Sequence, residues 1–128
     1  MAEVISTPHA PAAIGPYSQA IKSRGMTFIS GQIPLDPATG LLVGDGDVTK
    51  QAEQVMKNLL AIVAAAGHTS TEIVRCTIFL KDLGHFGAVN AVYEAALAGH
   101  RPARATVEVA RLPRDVLVEI DAICVGEV

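Results

Sequence analysis

From Ala103 to Val109 the sequence alternates without exception, with Ala103, Ala105, Val107 and Val109 on one side and Arg104, Thr106 and Glu108 on the other. A period of two is the mark of a strand with one buried face. Pro102 and Pro113 bracket it, since neither can donate to a sheet ladder. The chain is thereby committed to a sheet, and Arg104 to the polar face of a strand beside a loop. A guanidinium there offers a fixed fork of donors to a planar carboxylate or a phosphate. On pattern alone, the commoner use of such an arginine is an ion pair with Glu108 or Glu119.

The remaining elements follow from periodicity and turn chemistry. Glu3 to Ser6 reads as a short strand, and Pro8, Pro11 and Pro16 force an irregular, extended loop after it. Ser18 to Lys22 and Met26 to Ser30 form a hairpin around Ser23-Arg24-Gly25. Gly31 then allows either an unusual dihedral or a close approach to its backbone. Residues 34–47 are rich in Asp, Gly and Pro; the Asp/Gly run lacks the ligand series of a calcium loop and reads as a loop ending in a helix cap.

Val48, Ala52, Val55, Leu59, Ile62, Val63 and Ala66 recur at three- and four-residue steps. They predict a helix capped by Asp47 or Thr49 and stopped at Gly67. Glu72 to Asp82 reads as a strand with Val74, Cys76, Ile78 and Leu80 on its apolar face. A second helix runs from Leu83 or Phe86 to Leu97, with Phe86, Val89, Tyr93 and Leu97 on one side, and Gly99 ends it. The last strand spans Val116 to Val125; Glu119 and Asp121 lie on one face and Val118, Ile120, Ala122 and Cys124 on the other. The order βββαβαββ predicts an α+β fold, one sheet of about six strands with both helices on one face. The bare sheet face needs cover, which an oligomer would supply.

A chain of 128 residues makes one domain, residues 1–128. Hydrophobic residues at 50% exclude disorder, and with aromatics at 4% the core must be built from Val, Ile, Leu and Ala. A net charge of -3 argues against general nucleic-acid affinity. Arg101, Arg104, Arg111 and Arg114 cluster, but read as a solvated patch. Cys76 and Cys124 sit in apolar runs and read as core residues of a reducing compartment. His9, His68, His85 and His100 lack metal-ligand spacing. No signal segment and no apolar run of about 18 residues appears, so a cytoplasmic protein is expected.

No phosphate loop, His-Glu metal pair or Ser-His-Asp series is visible. Candidates for chemistry are Arg104 with Thr106, the carboxylates Glu119 and Asp121, and polar groups around Tyr17 and Ser30. An arginine near a carboxylate can bind an acid and position a water. Each residue also has a plain structural use: solvated strand carboxylates, a packing tyrosine, a turn serine.

Several stretches together resemble the RidA/YjgF family, the reactive intermediate deaminases. They are Ala10 to Tyr17, Ser30 to Pro34, Val89 to Glu94, Pro102 to Pro113 and Val118 to Ile123, in order along almost the whole chain. The resemblance implies a chorismate-mutase-like fold and a homotrimer with clefts between subunits. It implies hydrolysis of 2-iminopropanoate and 2-iminobutanoate to 2-keto acids and ammonia, which protects pyridoxal-phosphate enzymes, without metal or cofactor. By position, Arg104 would clamp the substrate carboxylate and Glu119 would hold the water or move its protons. The backbone of Thr106 and Gly31 would fix the substrate, and Tyr17, Ser30, Asn90 and Ala105 would complete the pocket. Thr106 stands where many relatives carry Cys. Arg101, in a short connection from Leu97, replaces a usually apolar or aromatic neighbour, which bears on pocket charge and substrate size. Two other readings compete: a non-catalytic trimer that binds a small carboxylate, and a ribonuclease or translation inhibitor.

Overall fold

The computed structural model describes residues 2–126. Its strands are β1 (Glu3–Ile5), β2 (Ala20–Ser23), β3 (Met26–Gln32), β4 (Ile73–Leu80), β5 (Ala103–Glu108) and β6 (Val118–Val125), with helices α1 (Val48–Ala65) and α2 (Phe86–Ala96). The order along the chain is the expected βββαβαββ. In the sheet it becomes β1-β2-β3-β6-β4-β5. Only β4 and β5 pair in parallel, as the α2 crossover between them requires. Because β6 lies between β3 and β4 and is antiparallel to both, the sheet is mixed.

Helix α1 begins where Asp47 accepts a hydrogen bond from the Lys50 backbone N–H at 3.1 Å. It ends at Ala66, followed by Gly67 at φ 84. Its stripe of Ala52, Val55, Leu59, Ile62 and Val63 is sealed against Ile29, Cys76, Ile78, Ile120, Ala122 and Cys124 of the sheet. Truncating Leu59 to Ala inside this layer costs about 2–5 kcal/mol. Arg24 at φ 55 and Gly25 at φ 78 form the two-residue turn that matches strand twist between β2 and β3.

Two expectations are corrected. The apolar row of β5 is not its buried face. Register pairs Arg104 with Cys76 and Thr106 with Ile78, both on the helix side, whereas Ala103, Ala105 and Val107 pair with Arg75, Thr77 and Phe79 on the open side. This edge strand presents its apolar row to the bare face and its polar row to α2, where Arg104 meets Phe86, Asn90 and Tyr93. In β4, a register shift between Ile73 and Arg75 turns Ile73 inward and leaves Val74 exposed.

On the open face Val4, Met26, Phe28, Val107 and Val125 remain between 36% and 63% exposed. That apolar face lies opposite the helices and is the one the sequence marked as needing cover.

Candidate functional site

Arg104 projects from β5 toward α2. Its Nη1 donates to Asn90 Oδ1 at 2.7 Å, and the guanidinium carbon lies 5.2 Å from the Tyr93 ring centroid and 5.5 Å from that of Phe86. Phe86, Asn90 and Tyr93 are spaced four and three residues apart, so one helical face supplies two rings and an amide. The ion pairs found among the described residues are His68–Glu72 and Arg111–Asp115, so the pairing of Arg104 with Glu108 or Glu119 does not form. Glu108 instead accepts from the Leu83 N–H at 2.9 Å. A neutral amide orients the guanidinium without cancelling its charge.

Beside Arg104 lies a cavity of about 460 Å³, lined by Asn90, Tyr93, Glu94, His100, Arg101, Pro102 and Arg104. The Tyr93 hydroxyl and Thr106 Oγ1 are buried without a hydrogen-bond partner. Burial pushes the Tyr93 phenol well above its ordinary value; the neighbouring Cys76 thiol adds to the shift, though no hydrogen bond of acceptable geometry joins the two.

Glu119 occupies different ground. It pairs with Phe79 across β6 and β4 and therefore faces the open side of the sheet. Burial, and next the like charge of Asp121, hold its carboxyl above the usual range. Gly31 makes room for it: a Cβ there would fall 2.8 Å from Glu119 Cδ and closer still to Oε2. The pairing of β3 with β6 shifts register between Ile29 and Gln32, which lifts Ser30 and Gly31 out of the ladder at this point. Ser30 Oγ donates to the Ser18 carbonyl at 2.6 Å, and the neighbouring Tyr17 is 53% exposed.

The residues expected to act together therefore divide. Arg104, Asn90 and Thr106 lie on the helix side at the β5 edge; Glu119 and Gly31 lie on the open side, next to Ser30 and Tyr17. Ala105 faces the open side from β5. Strand β4 separates the strands of Arg104 and Glu119, so one chain does not bring them together.

Sequence reasoning missed the supports. Gln19, buried, accepts from the Thr7 N–H at 2.7 Å and donates to the carbonyls of Thr7, Ala10 and Pro11, which pins the proline-rich loop ahead of Tyr17. The aromatic seat of Arg104 was legible as apolar spacing in α2, but not as a seat. Of the four clustered arginines, Arg111 bonds Asp115 at 2.7 Å, Arg114 donates to the Gly40 carbonyl, and Arg101 and Arg104 face the cavity.

The chain's other candidate nucleophiles are shut away from solvent. Both cysteines are free and buried, and burial pushes Cys124 up to about 11. Thr27 Oγ1, His68 Nε2, His68 Nδ1 and Glu72 Oε1 form a chain with links of 2.7 Å and 3.2 Å. That order mimics a nucleophile, base and orienting acid, but Thr27 is 0% exposed and no substrate can reach it. Among the described residues no three metal-ligating side chains cluster, and no helix is long and apolar enough to cross a membrane.

Comparison with known proteins agrees with this architecture over its full extent. Protein DfrA of Myxococcus xanthus is 58% identical over 97% of this chain and 95% of its own length. The 2-iminobutanoate/2-iminopropanoate deaminase of Salmonella typhimurium is 52% identical over 98% of both chains. Among solved structures, the YjgF gene product of Escherichia coli superposes with a TM-score of 0.92 at 50% identity, covering 98% of this chain and 99% of that one. Escherichia coli TdcF, solved with bound serine, gives 0.93 at 44% identity over the same shares. The family model described as Endoribonuclease L-PSP matches residues 7–126, and the chain belongs to that family, the RidA/YjgF proteins its motifs resemble.

Proposed function

We propose that this chain, as one RidA-like domain over residues 1–128, is a cytoplasmic hydrolase of reactive 2-imino acids. It converts 2-iminobutanoate and 2-iminopropanoate to 2-keto acids and ammonia, and so spares pyridoxal-phosphate enzymes. The observation that carries the reading is the division of one chain into two incomplete halves: an oriented, unneutralised guanidinium at a strand edge, and a half-buried carboxyl on an apolar sheet face. A head-to-tail ring of three copies sets the β5 edge of one against the open face of the next and covers the apolar residues there. Each cleft then holds Arg104 of one subunit and Glu119 of its neighbour.

In such a cleft Arg104 binds the substrate carboxylate through its free N–H groups. The protonated imine is already electrophilic, so the protein supplies orientation and a placed water. Glu119, as the carboxylate, takes a proton from the water as it attacks C2, giving an amino alcohol, and passes it to the nitrogen; the hydroxyl proton then moves to Glu119 as the C–N bond breaks, and ammonia leaves with the 2-keto acid and takes up that proton. The backbone at Gly31 and Thr106 steadies the substrate. The deaminase names of relatives near 50% identity and the serine bound by TdcF support a small, carboxylate-bearing ligand.

The test couples the protein to a threonine dehydratase and follows 2-ketobutyrate release. Acceleration that Arg104→Ala abolishes supports the reading. Tight 2-ketobutyrate binding without acceleration would replace it with a carboxylate-binding trimer. RNA cleavage lost with Arg104→Ala would instead favour the activity in the family's name; the acidic net charge and the dispersal of the arginines weigh against that.

A further inference from the structure

The cavity beside Arg104 holds a second guanidinium. Arg101 lines the same 460 Å³ space from three residues upstream. Its backbone is anchored on both sides: His100 Nε2–H donates to the Ile73 carbonyl at 2.8 Å, and the ring of Pro102 fixes its own φ. The Arg101 side chain is exposed and makes no ion pair with a described residue. Among the described residues, the Arg and Glu side chains lining the space are Arg101, Arg104 and Glu94, two guanidiniums against one carboxylate.

We infer that Arg101 determines specificity, and that the cleft prefers 2-imino acids bearing a second, distal carboxylate, the imines of acidic amino acids. The inference rests on the deaminase reading and names its substrate class. Arg104, held by Asn90 beside the Phe86 and Tyr93 rings, suits the group common to every substrate, the carboxylate next to the imine. Arg101 has an anchored backbone and a free, long side chain, which suits a group whose distance varies with chain length. Glu94 repels a distal carboxylate from the α2 side of the cavity and leaves Arg101 as its partner. The hydrolysis itself is unchanged: water adds, ammonia leaves, and the second carboxylate takes no part.

The test compares kcat/KM for 2-iminoglutarate and 2-iminobutanoate, each generated in place by an amino acid oxidase. The wild type should favour the diacid by about tenfold, the worth of one charge-assisted contact. Arg101→Ala should lower the diacid-to-monoacid ratio by about the same factor, chiefly through KM, and Arg101→Lys should restore part of it. Glu94→Gln should raise the ratio. No preference in the wild type, or equal losses on both substrates in Arg101→Ala, overturns the inference. Calorimetric titration with 2-ketoglutarate and 2-ketobutyrate separates the two levels. An Arg101-dependent preference for 2-ketoglutarate in a protein that accelerates neither imine would overturn the deaminase reading and keep the two-cation site. Equal binding with no acceleration would overturn both.

Discussion

Arg104 and Glu119 face opposite sides of one sheet, with β4 between their strands, so their cooperation requires two copies of the chain. That arrangement makes a direct prediction. Arg104→Ala and Glu119→Gln should each be nearly inactive alone. Dissociated, mixed in equal amounts and reassembled, they should recover about a quarter of wild-type activity, because random assembly gives that share of clefts both intact halves. Deaminase assay of the mixture checks it, and zero recovery after verified subunit exchange would mean that the halves do not meet across an interface.

Gly31 is the second point of leverage. Its φ is not in the left-handed region, so the demand for glycine comes from the Glu119 carboxyl packed against it. Gly31→Ala should displace that carboxyl while leaving Arg104 untouched. The expected result is a fall in kcat of about 10²-fold, in the range of a lost general acid–base group, with little change in 2-ketobutyrate affinity. A drop in affinity with kcat intact would count against this account.

Much of the fold was legible because two interior strands carry their burial in their alternation. Cys76, Ile78 and Leu80 in β4, and Val118, Ile120, Ala122 and Cys124 in β6, point to the helices as their period demands. Strand β5 has the cleanest alternation, yet its apolar row faces away from the helices and its polar row toward them. Periodicity shows that a strand has two unlike faces; which one meets the helices depends on its place at the sheet edge and on what covers the other face. Val74 and Ile73 exchanged roles through a bulge, which no local pattern announces. The buried amides of Gln19, Gln51 and Asn58 were missed because isolated polar residues read as exposed; each bonds backbone groups of a loop. Arg104 stood out as chemistry in waiting, yet its orienting partner Asn90 was placed by family resemblance and not by spacing.

Tyr93 carries a hydroxyl that is buried and unpartnered in the free protein. Tyr93→Phe keeps the ring beneath Arg104 and removes that cost, so the variant should be more stable by about 1 kcal/mol. For a chain of this size the melting temperature should rise by roughly 3–5 °C in thermal unfolding. A lower melting temperature would show that the hydroxyl has a partner in solution.

The pH response of Glu119 follows from burial. A carboxyl held above its ordinary value binds its proton more tightly folded than unfolded, so the protonated form favours the fold. Its contribution is complete below the ordinary value of 4.5 and is lost as pH rises through the folded one. Glu119→Gln stays neutral throughout and suffers no such loss. Melting temperatures measured from pH 3.5 to 7.5 should therefore show the wild type falling behind the variant as pH climbs past this window. Because Asp121 contributes to the shift, Asp121→Asn should move the divergence to lower pH. On the proposed mechanism the acid limb of activity should move with it, since there the same carboxyl accepts the water's proton. A wild-type-to-variant gap that stays constant across the range would show that this carboxyl titrates alike folded and unfolded, and the case for Glu119 as the proton carrier would lose its physical basis.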